Sequence, residues 1–438
     1  MSYKFYGGVH PACSKTLTND RPVKKTFIPK KVILPLSQHT GLPAEPVVEA
    51  GEKVLVGQLI AKHSGYISSS VHASIGGKVS SISYSPTPSH PRALSIKIEA
   101  QDGEDQELIT QKHPDISQLS KECLLSVIRD AGIVGLGGAA FPTYVKLSPP
   151  KGKSIDTVII NGAECEPYLT CDQRVMIEKA AEVLNGLEII MKVGGARNAY
   201  IAIEDNKLSA AYAMERALEK SIVHSPQSTV KIVTLKTKYP QGAEKQVIKA
   251  ITNREVPAGG LPADIGCVVQ NVGTAFAIYE AVYLGKPLIE RVVTLTGSAI
   301  KEPMNISVRI GTLISDLVGA AGGLKGQAAK VIVGGPMMGI SQYTLDVPVV
   351  KGTSGVLFLS KADCPDYEES VCIRCGACLD ACPMGLVPTT LMYLVKNGNY
   401  EAARDSGVAN CFECGACSYE CPAKIPLVDY MKFGKAKL

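Results

Sequence analysis

The 438-residue chain has no tryptophan, no strong excess of charge of either sign and no long apolar run. A net charge of +5 is too small to build the basic surface that nucleic acid requires. A helix needs ~20 consecutive apolar residues to cross a bilayer, and the most apolar stretch, Val272–Leu284, is interrupted by Glu280. The N-terminus, Met1-Ser-Tyr-Lys-Phe-Tyr-Gly-Gly8, lacks the basic and apolar regions of a secretory signal. Lysines gather at Lys24, Lys25, Lys30 and Lys31, and again at Lys432, Lys435 and Lys437. Such runs ordinarily lie solvated on a surface.

Cysteine is the opposite case, with 14 in the chain. Eight form two ladders: Cys372, Cys375, Cys378 and Cys382 before Pro383, and Cys411, Cys414, Cys417 and Cys421 before Pro422. Both read C-x-x-C-x-x-C-x-x-x-C-P. Zinc normally takes its ligands in two pairs. Four thiols at this closer spacing, twice over, suit a pair of cubane [4Fe–4S] clusters. Three sulfurs on a tight loop bind one cube, and the fourth crosses to the other. The expected sets are Cys372, Cys375, Cys378 and Cys421 for one cluster, and Cys411, Cys414, Cys417 and Cys382 for the second. The ladders are offset by 39 residues throughout, which marks an internal duplication. Helical patterns over Pro388–Lys396 and residues 400–404 predict a helical two-cluster ferredoxin module at 366–438. The remaining thiols, Cys13, Cys123, Cys165, Cys171, Cys267 and Cys364, are scattered, as expected in a reducing cytosol.

The rest of the chain reads as multidomain α/β. After an arm at 1–29, residues 30–105 carry short apolar runs with glycine turns, the folded-over pattern of a barrel-sandwich module. Biotinyl and lipoyl carriers of this type need a lysine at the hairpin tip. The tip here, His63-Ser-Gly-Tyr66, has none, so a structural role is expected. Residues 115–290 alternate strand and helix patterns, with strands at 157–160, 199–203, 230–235 and 267–270, and predict a Rossmann-like parallel sheet. Met176, Ala180, Val183, Leu184, Leu187 and Met191 share one face of an expected helix, capped by Asp172 and ended by Gly194 and Gly195. Residues 291–345 suggest a small β-grasp of SLBB type. Residues 346–365, with Pro348, Gly352 and Gly355, read as a linker.

Gly132, Gly135, Gly137 and Gly138 leave backbone N–H groups bare and able to curl around an anion. Pro142 opens a helix, and Lys146 adds a point charge. Beyond the first strand lies Asn161-Gly-Ala-Glu164-Cys-Glu166-Pro167-Tyr168. Ligands in open α/β sheets bind past the carboxyl ends of strands, so Glu164 and Glu166 can take ribose hydroxyls or line a nicotinamide pocket. Tyr239-Pro-Gln-Gly242-Ala243-Glu244 and Gln270-Asn271 occupy equivalent loops. The alternatives are a flexible turn and solvated acids.

These loops resemble the flavin- and NADH-binding subunit of respiratory complex I. The order of modules resembles more closely the C subunits of Rnf complexes, the membrane ferredoxin:NAD oxidoreductases. Tyr6-Gly-Gly-Val-His-Pro11, Pro35-Leu-Ser-Gln-His-Thr-Gly41 and Gly334-Gly-Pro-Met-Met-Gly339 carry that resemblance too. It implies that Gly135, Gly137, Gly138 and Lys146 hold the phosphate side of a non-covalent FMN. Asn161, Glu164, Tyr239 and Asn271 would surround the flavin, and Phe141 and Glu166 would face NAD(H). Of two acids expected in the later loop, Ala243 replaces the first and Glu244 remains. The implied role is electron exchange between NAD(H) and ferredoxin, beside membrane subunits, as a peripheral protein on the cytoplasmic face of the cell membrane. Rivals are a soluble flavin/iron–sulfur reductase of the cobalamin reductase type and a flavin-free electron-wiring protein.

Overall fold

The computed structural model describes residues 4–25, 27–101, 106–108, 118–150, 152–221 and 229–438. The module boundaries expected at 105 and 115 lie outside the described residues. The first module holds β1 (Lys31–Pro35), β2 (Glu45–Pro46), β3 (Lys53–Val54), β4 (Leu59–Lys62), β5 (Val71–His72), β6 (Gly77–Ser85) and β7 (Ala93–Glu99). Four strands pair in the order β1-β7-β6-β3 and three in the order β2-β4-β5. Ile60, Ile75, Val79, Ile96 and Ile98 are wholly buried in the core. The tip between β4 and β5 does not swing free. The Tyr144 hydroxyl donates to the Tyr66 carbonyl, and the Tyr66 hydroxyl donates to the Ser148 carbonyl at 3.4 Å.

The α/β layer begins with helices α1 (Lys121–Asp130) and α2 (Thr143–Lys146), followed by β8 (Thr157–Gly162), α3 (Cys171–Glu178) and α4 (Ala180–Gly194). It continues through β9 (Asn198–Glu204), α5 (Leu208–Glu219), β10 (Thr229–Leu235), α6 (Glu244–Thr252), β11 (Cys267–Asn271) and α7 (Val272–Leu284). The four strands are parallel, in the order β10-β9-β8-β11. Valine and isoleucine dominate them because both faces of a parallel sheet are covered. The single helix expected around 176–191 is two. Lys179, with φ −132°, breaks α3 from α4, and Gly195 ends α4 in the left-handed conformation. Asp172 lies inside α3 instead of capping it.

The third layer is a five-stranded sheet of β12 (Glu290–Thr296), β13 (Met304–Arg309), β14 (Lys330–Val333), β15 (Ile340–Gln342) and β16 (Gly355–Leu359), with helix α8 (Ile314–Ala320). Its order is β13-β12-β16-β14-β15. The linker reading of 346–365 is therefore wrong for its second half, because β16 is the central strand. Val356, Leu357 and Phe358 are wholly buried. A strand covered on both faces shows a continuous apolar run without alternation, and proline and glycine on either side disguised it. The C-terminal module is helical, with Pro388–Lys396 and Tyr400–Asp405 where the pattern put them. Among the described residues no helix is long and apolar enough to cross a membrane.

Phe358→Ala empties a fully enclosed site in that central strand. We expect a loss of ~3–5 kcal/mol, read as a lower thermal unfolding midpoint. An unchanged midpoint would contradict the central placement of β16.

Candidate electron-transfer site

From β8 the chain steps outward through β9 to β10, then returns to the other side of β8 for β11. The order reverses between β8 and β11, and such a reversal opens a crevice at the strand ends. Asn161 and Asn271, the facing residues there, are direct partners in the ladder. Asn161 Nδ2 donates to the Gly242 carbonyl at 2.8 Å, and its Oδ1 accepts from Ala163 N at 3.2 Å. Asn271 caps α7 by accepting from Gly273 N at 2.8 Å. Its Nδ2 donates to Asp172 Oδ2 at 2.6 Å.

The glycine loop lies over this edge. Gly135 N donates to the Phe141 carbonyl at 2.9 Å, which closes the loop. Leu136 N donates to Thr274 Oγ1 at 2.9 Å, tying the loop to the start of α7. Thr40 of the barrel-sandwich module buttresses it from outside. Its hydroxyl donates to the Ala139 carbonyl at 2.9 Å and its N–H to the Ala140 carbonyl at 3.2 Å. Gly137 lies against Asn271, while Gly138 faces open space at φ +108°. Helix α2, which Pro142 opens, is a single turn of 4 residues. Lys146 at its end donates to the Val269 carbonyl at 2.7 Å and pairs with Glu244, the first residue of α6.

The two acids after β8 diverge. The Glu164 carboxylate accepts from Asp172 N at 2.7 Å and Gln173 N at 3.3 Å. It thus sits on the positive end of α3. The Glu166 carboxylate turns away to Met337 N (3.0 Å) and Met338 N (2.8 Å) in the loop after β14. Tyr239 is almost wholly buried, and its hydroxyl donates to the Cys414 carbonyl at 2.7 Å. The structure thus gathers Gly137, Asn161, Asn271, Glu164, Lys146 and Glu244 around the strand ends. Tyr239 and Glu166 lead outward to the neighbouring modules.

Asp172 belongs to this group, although the sequence showed it only as a helix cap. Burial first, and the nearby Glu164 charge second, push its carboxyl up to about 7. The N-terminal arm was also missed as a structural element. Val9 and Tyr239 exchange backbone hydrogen bonds at 2.7 and 2.8 Å, and Gly8 N donates to the Ala381 carbonyl at 2.9 Å. Gly7 is in the left-handed region, and a Cβ there would lie 2.6 Å from the Cys382 carbonyl oxygen. Only glycine lets the arm pass so close to the ladder.

The last thiol of the first ladder sits beside three thiols of the second. Cys382 joins Cys411, Cys414 and Cys417 in lining one cavity. Burial, then the charges of Cys414, Cys411 and Cys382, push the Cys417 thiol up to about 12. Cys414 is also pushed up to about 12, by burial and then by Cys411 and Cys382 among its neighbours. The other set meets at Cys378, raised by burial and also by Cys421 and Cys375. Cys375 is exposed.

Matches to known families follow the same divisions. Residues 3–104 match the RnfC barrel sandwich hybrid domain, 128–280 the Nuo51 FMN-binding domain, 292–341 the SLBB domain and 368–425 the 4Fe-4S dicluster domain. The C subunit of the proton-translocating ferredoxin:NAD(+) oxidoreductase complex of Clostridium ljungdahlii is 50% identical over 100% of this chain and 94% of its own length. The chain belongs to the RnfC family. An RnfC relative from the Na(+)-translocating complex of Acetobacterium woodii is 42% identical over 99% of this chain and 97% of its own. Another, from Rhodobacter capsulatus, is 42% identical over 100% and 84%. A chain of an NAD+-reducing [NiFe]-hydrogenase shares the fold at a TM-score of 0.51 and 19% identity. That likeness covers 74% of this chain and 61% of the hydrogenase chain.

The residues present fit the groups these domains are named for. Cys382, Cys414 and Cys417 are buried and Cys411 is half-buried around one cavity. Four thiols so enclosed cannot all ionise without a counter-charge, and iron supplies it. On the RnfC flavin domain, Thr143 Oγ1, Gln241 Nε2 and Gln270 Nε2 are buried with no partner among the described residues. Buried polar atoms without partners are rare, and these three lie on the segments that frame the glycine loop and the strand ends, where polar groups of a bound cofactor would be in demand.

Two outcomes follow from this geometry. The double variant Cys382→Ala with Cys411→Ala should retain about four of about eight irons, since crossed ladders place both thiols in one cube. Loss of all iron would mean that each ladder serves its own cluster. With its carboxyl pushed up to about 7, Asp172 is mostly protonated in the folded chain below neutrality but ionised in the unfolded chain above pH ~4. Unfolding then releases a proton, so its contribution to stability falls as pH rises from ~4 through ~7. Asp172→Asn keeps an acceptor for Asn271 and should flatten that part of the urea midpoint profile. A profile identical to that of the parent would clear Asp172 as the source.

Proposed function

We propose that this chain exchanges electrons between NAD(H) and ferredoxin through FMN and two [4Fe–4S] clusters. It does so as the peripheral subunit of an ion-translocating Rnf complex, on the cytoplasmic face of the membrane. The observation that carries this reading is the Tyr239 hydroxyl on the Cys414 carbonyl at 2.7 Å. It joins a strand-end loop of the nucleotide-binding sheet to the thiol loop of a cluster site. A dinucleotide gives up two electrons together and a cube accepts one, and bound flavin chemistry converts between the two.

The chain's own residues bind and orient. Gly137 and Gly138 would present backbone N–H groups to the FMN phosphate, on a loop that the Gly135 N–H closes against Phe141, with Lys146 adding positive charge. Asn161 and Asn271 would stand at the ribityl and ring edges. Phe141, at the rim of the glycine loop, would lie on the dinucleotide side. Glu244 holds Lys146 in place through their ion pair. No side chain need act as nucleophile. A barrel-sandwich module braced against the glycine loop distinguishes this reading from the soluble reductase, which has no need of it.

Anaerobically prepared protein should carry FMN, which NADH bleaches before the cluster spectrum changes. Lys146→Ala should weaken FMN retention ~10-fold, or ~1.4 kcal/mol. Protein that holds no flavin, or flavin that NADH leaves oxidised, would overturn the proposal.

A further inference from the structure

The Gly334–Gly339 loop of the five-stranded sheet touches both halves of the site. On one side Glu166 holds it through Met337 N and Met338 N. The approach is so close that a Cβ on Gly335 would lie 2.3 Å from Glu166 Oε2. On the other side the Met337 side chain packs in an apolar cluster with Tyr239, Cys165, Phe412, Cys414 and Ala416. The Met337 carbonyl oxygen would lie 3.0 Å from a Cβ on Gly415. Gly415 is in the left-handed region, at φ +78°, between Cys414 and Cys417. One loop of the SLBB module therefore spans from a carboxylate of the flavin domain to the thiol loop of a cluster.

We propose that Glu166 is a positioning residue: by holding the 334–339 loop it seats Met337 on the Cys411–Cys417 loop and so fixes that cluster against the flavin domain. This rests on the function proposed above and gives the SLBB module a task within it. The geometry favours this over a nicotinamide contact. Both Glu166 oxygens already accept backbone N–H groups, and the SLBB loop stands where a ligand would have to reach them. Met337 is the matching element on the far side. Flexible and polarisable, a methionine fills an irregular gap between tyrosine, phenylalanine and cysteine. Gln at position 166 can accept but presents an amide N–H₂ to the second donor, so one of the two bonds is lost.

The test uses the full chain with its clusters, prepared without oxygen, and hydrogen–deuterium exchange resolved to peptides. In Glu166→Gln, and separately in Met337→Ala, amides of 411–417 should exchange at least ~5-fold faster than in the parent. Cluster reduction should lag flavin bleaching more than it does in the parent. Faster exchange confined to 334–339 would overturn the bridge. So would a Glu166→Gln variant that loses NADH affinity while exchange at 411–417 stays at the parent value. Should NADH fail to bleach flavin in the parent itself, the functional reading fails, while exchange at 411–417 still decides the bridge. If Glu166→Gln does not fold, Met337→Ala alone carries the same readout.

Discussion

A buried tyrosine hydroxyl must find an acceptor, and Tyr239 finds it in the backbone of a cysteine ladder. Much of the architecture keeps that junction in place. The arm pairs with Tyr239 through Val9 and reaches the Ala381 carbonyl with the preceding residue, Gly8. Gln246 at the start of α6 donates to the Pro383 carbonyl at 3.0 Å. Met337 closes the junction from the SLBB side. Apolar packing and hydrogen bonds from three modules thus converge on the two segments, 381–383 and 411–417, that bear ladder thiols. Electron exchange between a flavin and a cluster requires a fixed and short separation, and a flexible tether would not supply it.

A similar constraint governs the nucleotide edge. Asn161 and Asn271 face one another because β8 and β11 are neighbours in register, not because the chain brings them close in sequence. Each commits part of its hydrogen-bonding capacity to the loops that frame the crevice. Lys15 does similar work from beneath, donating to the carbonyls of Glu164 and Glu166, both at 2.9 Å. Burial lowers its pKa, yet three carbonyl partners favour the charged form. It holds the acid-bearing loop in shape and leaves the carboxylates free to cap α3 and to grip the SLBB loop.

The barrel-sandwich module resembles a carrier but serves as a brace. Its tip lies on the residues that follow the glycine loop, and Thr40 holds two of that loop's carbonyls. Lys351, wholly buried, links all three layers by donating to Ser69 Oγ at 3.1 Å, the Ser70 carbonyl at 2.6 Å and the Gly132 carbonyl at 2.7 Å. Burial alone pulls its pKa down to about 7. A buried ammonium is costly unless it is fully hydrogen-bonded, and the three acceptors meet that demand at the seam between modules.

Some of this was written in the sequence alone. Ligand spacing is local, so the ladders announced the clusters. The parallel strands showed as short β-branched runs because their burial is uniform. The helix over Pro388–Lys396 showed through its period. What the sequence could not decide was which loops meet. Strand β16 looked like a linker because its role depends on pairing with β12, far back in the chain. The hold of Glu166 on the SLBB loop was hidden because two backbone donors in another module are invisible in a linear reading. Asp172 joined the site only when Asn271 and Glu164 came to lie beside it. Residue type and spacing fix the chemistry a segment can do; the pairing of distant backbones fixes what stands next to it, and here that proximity is the function.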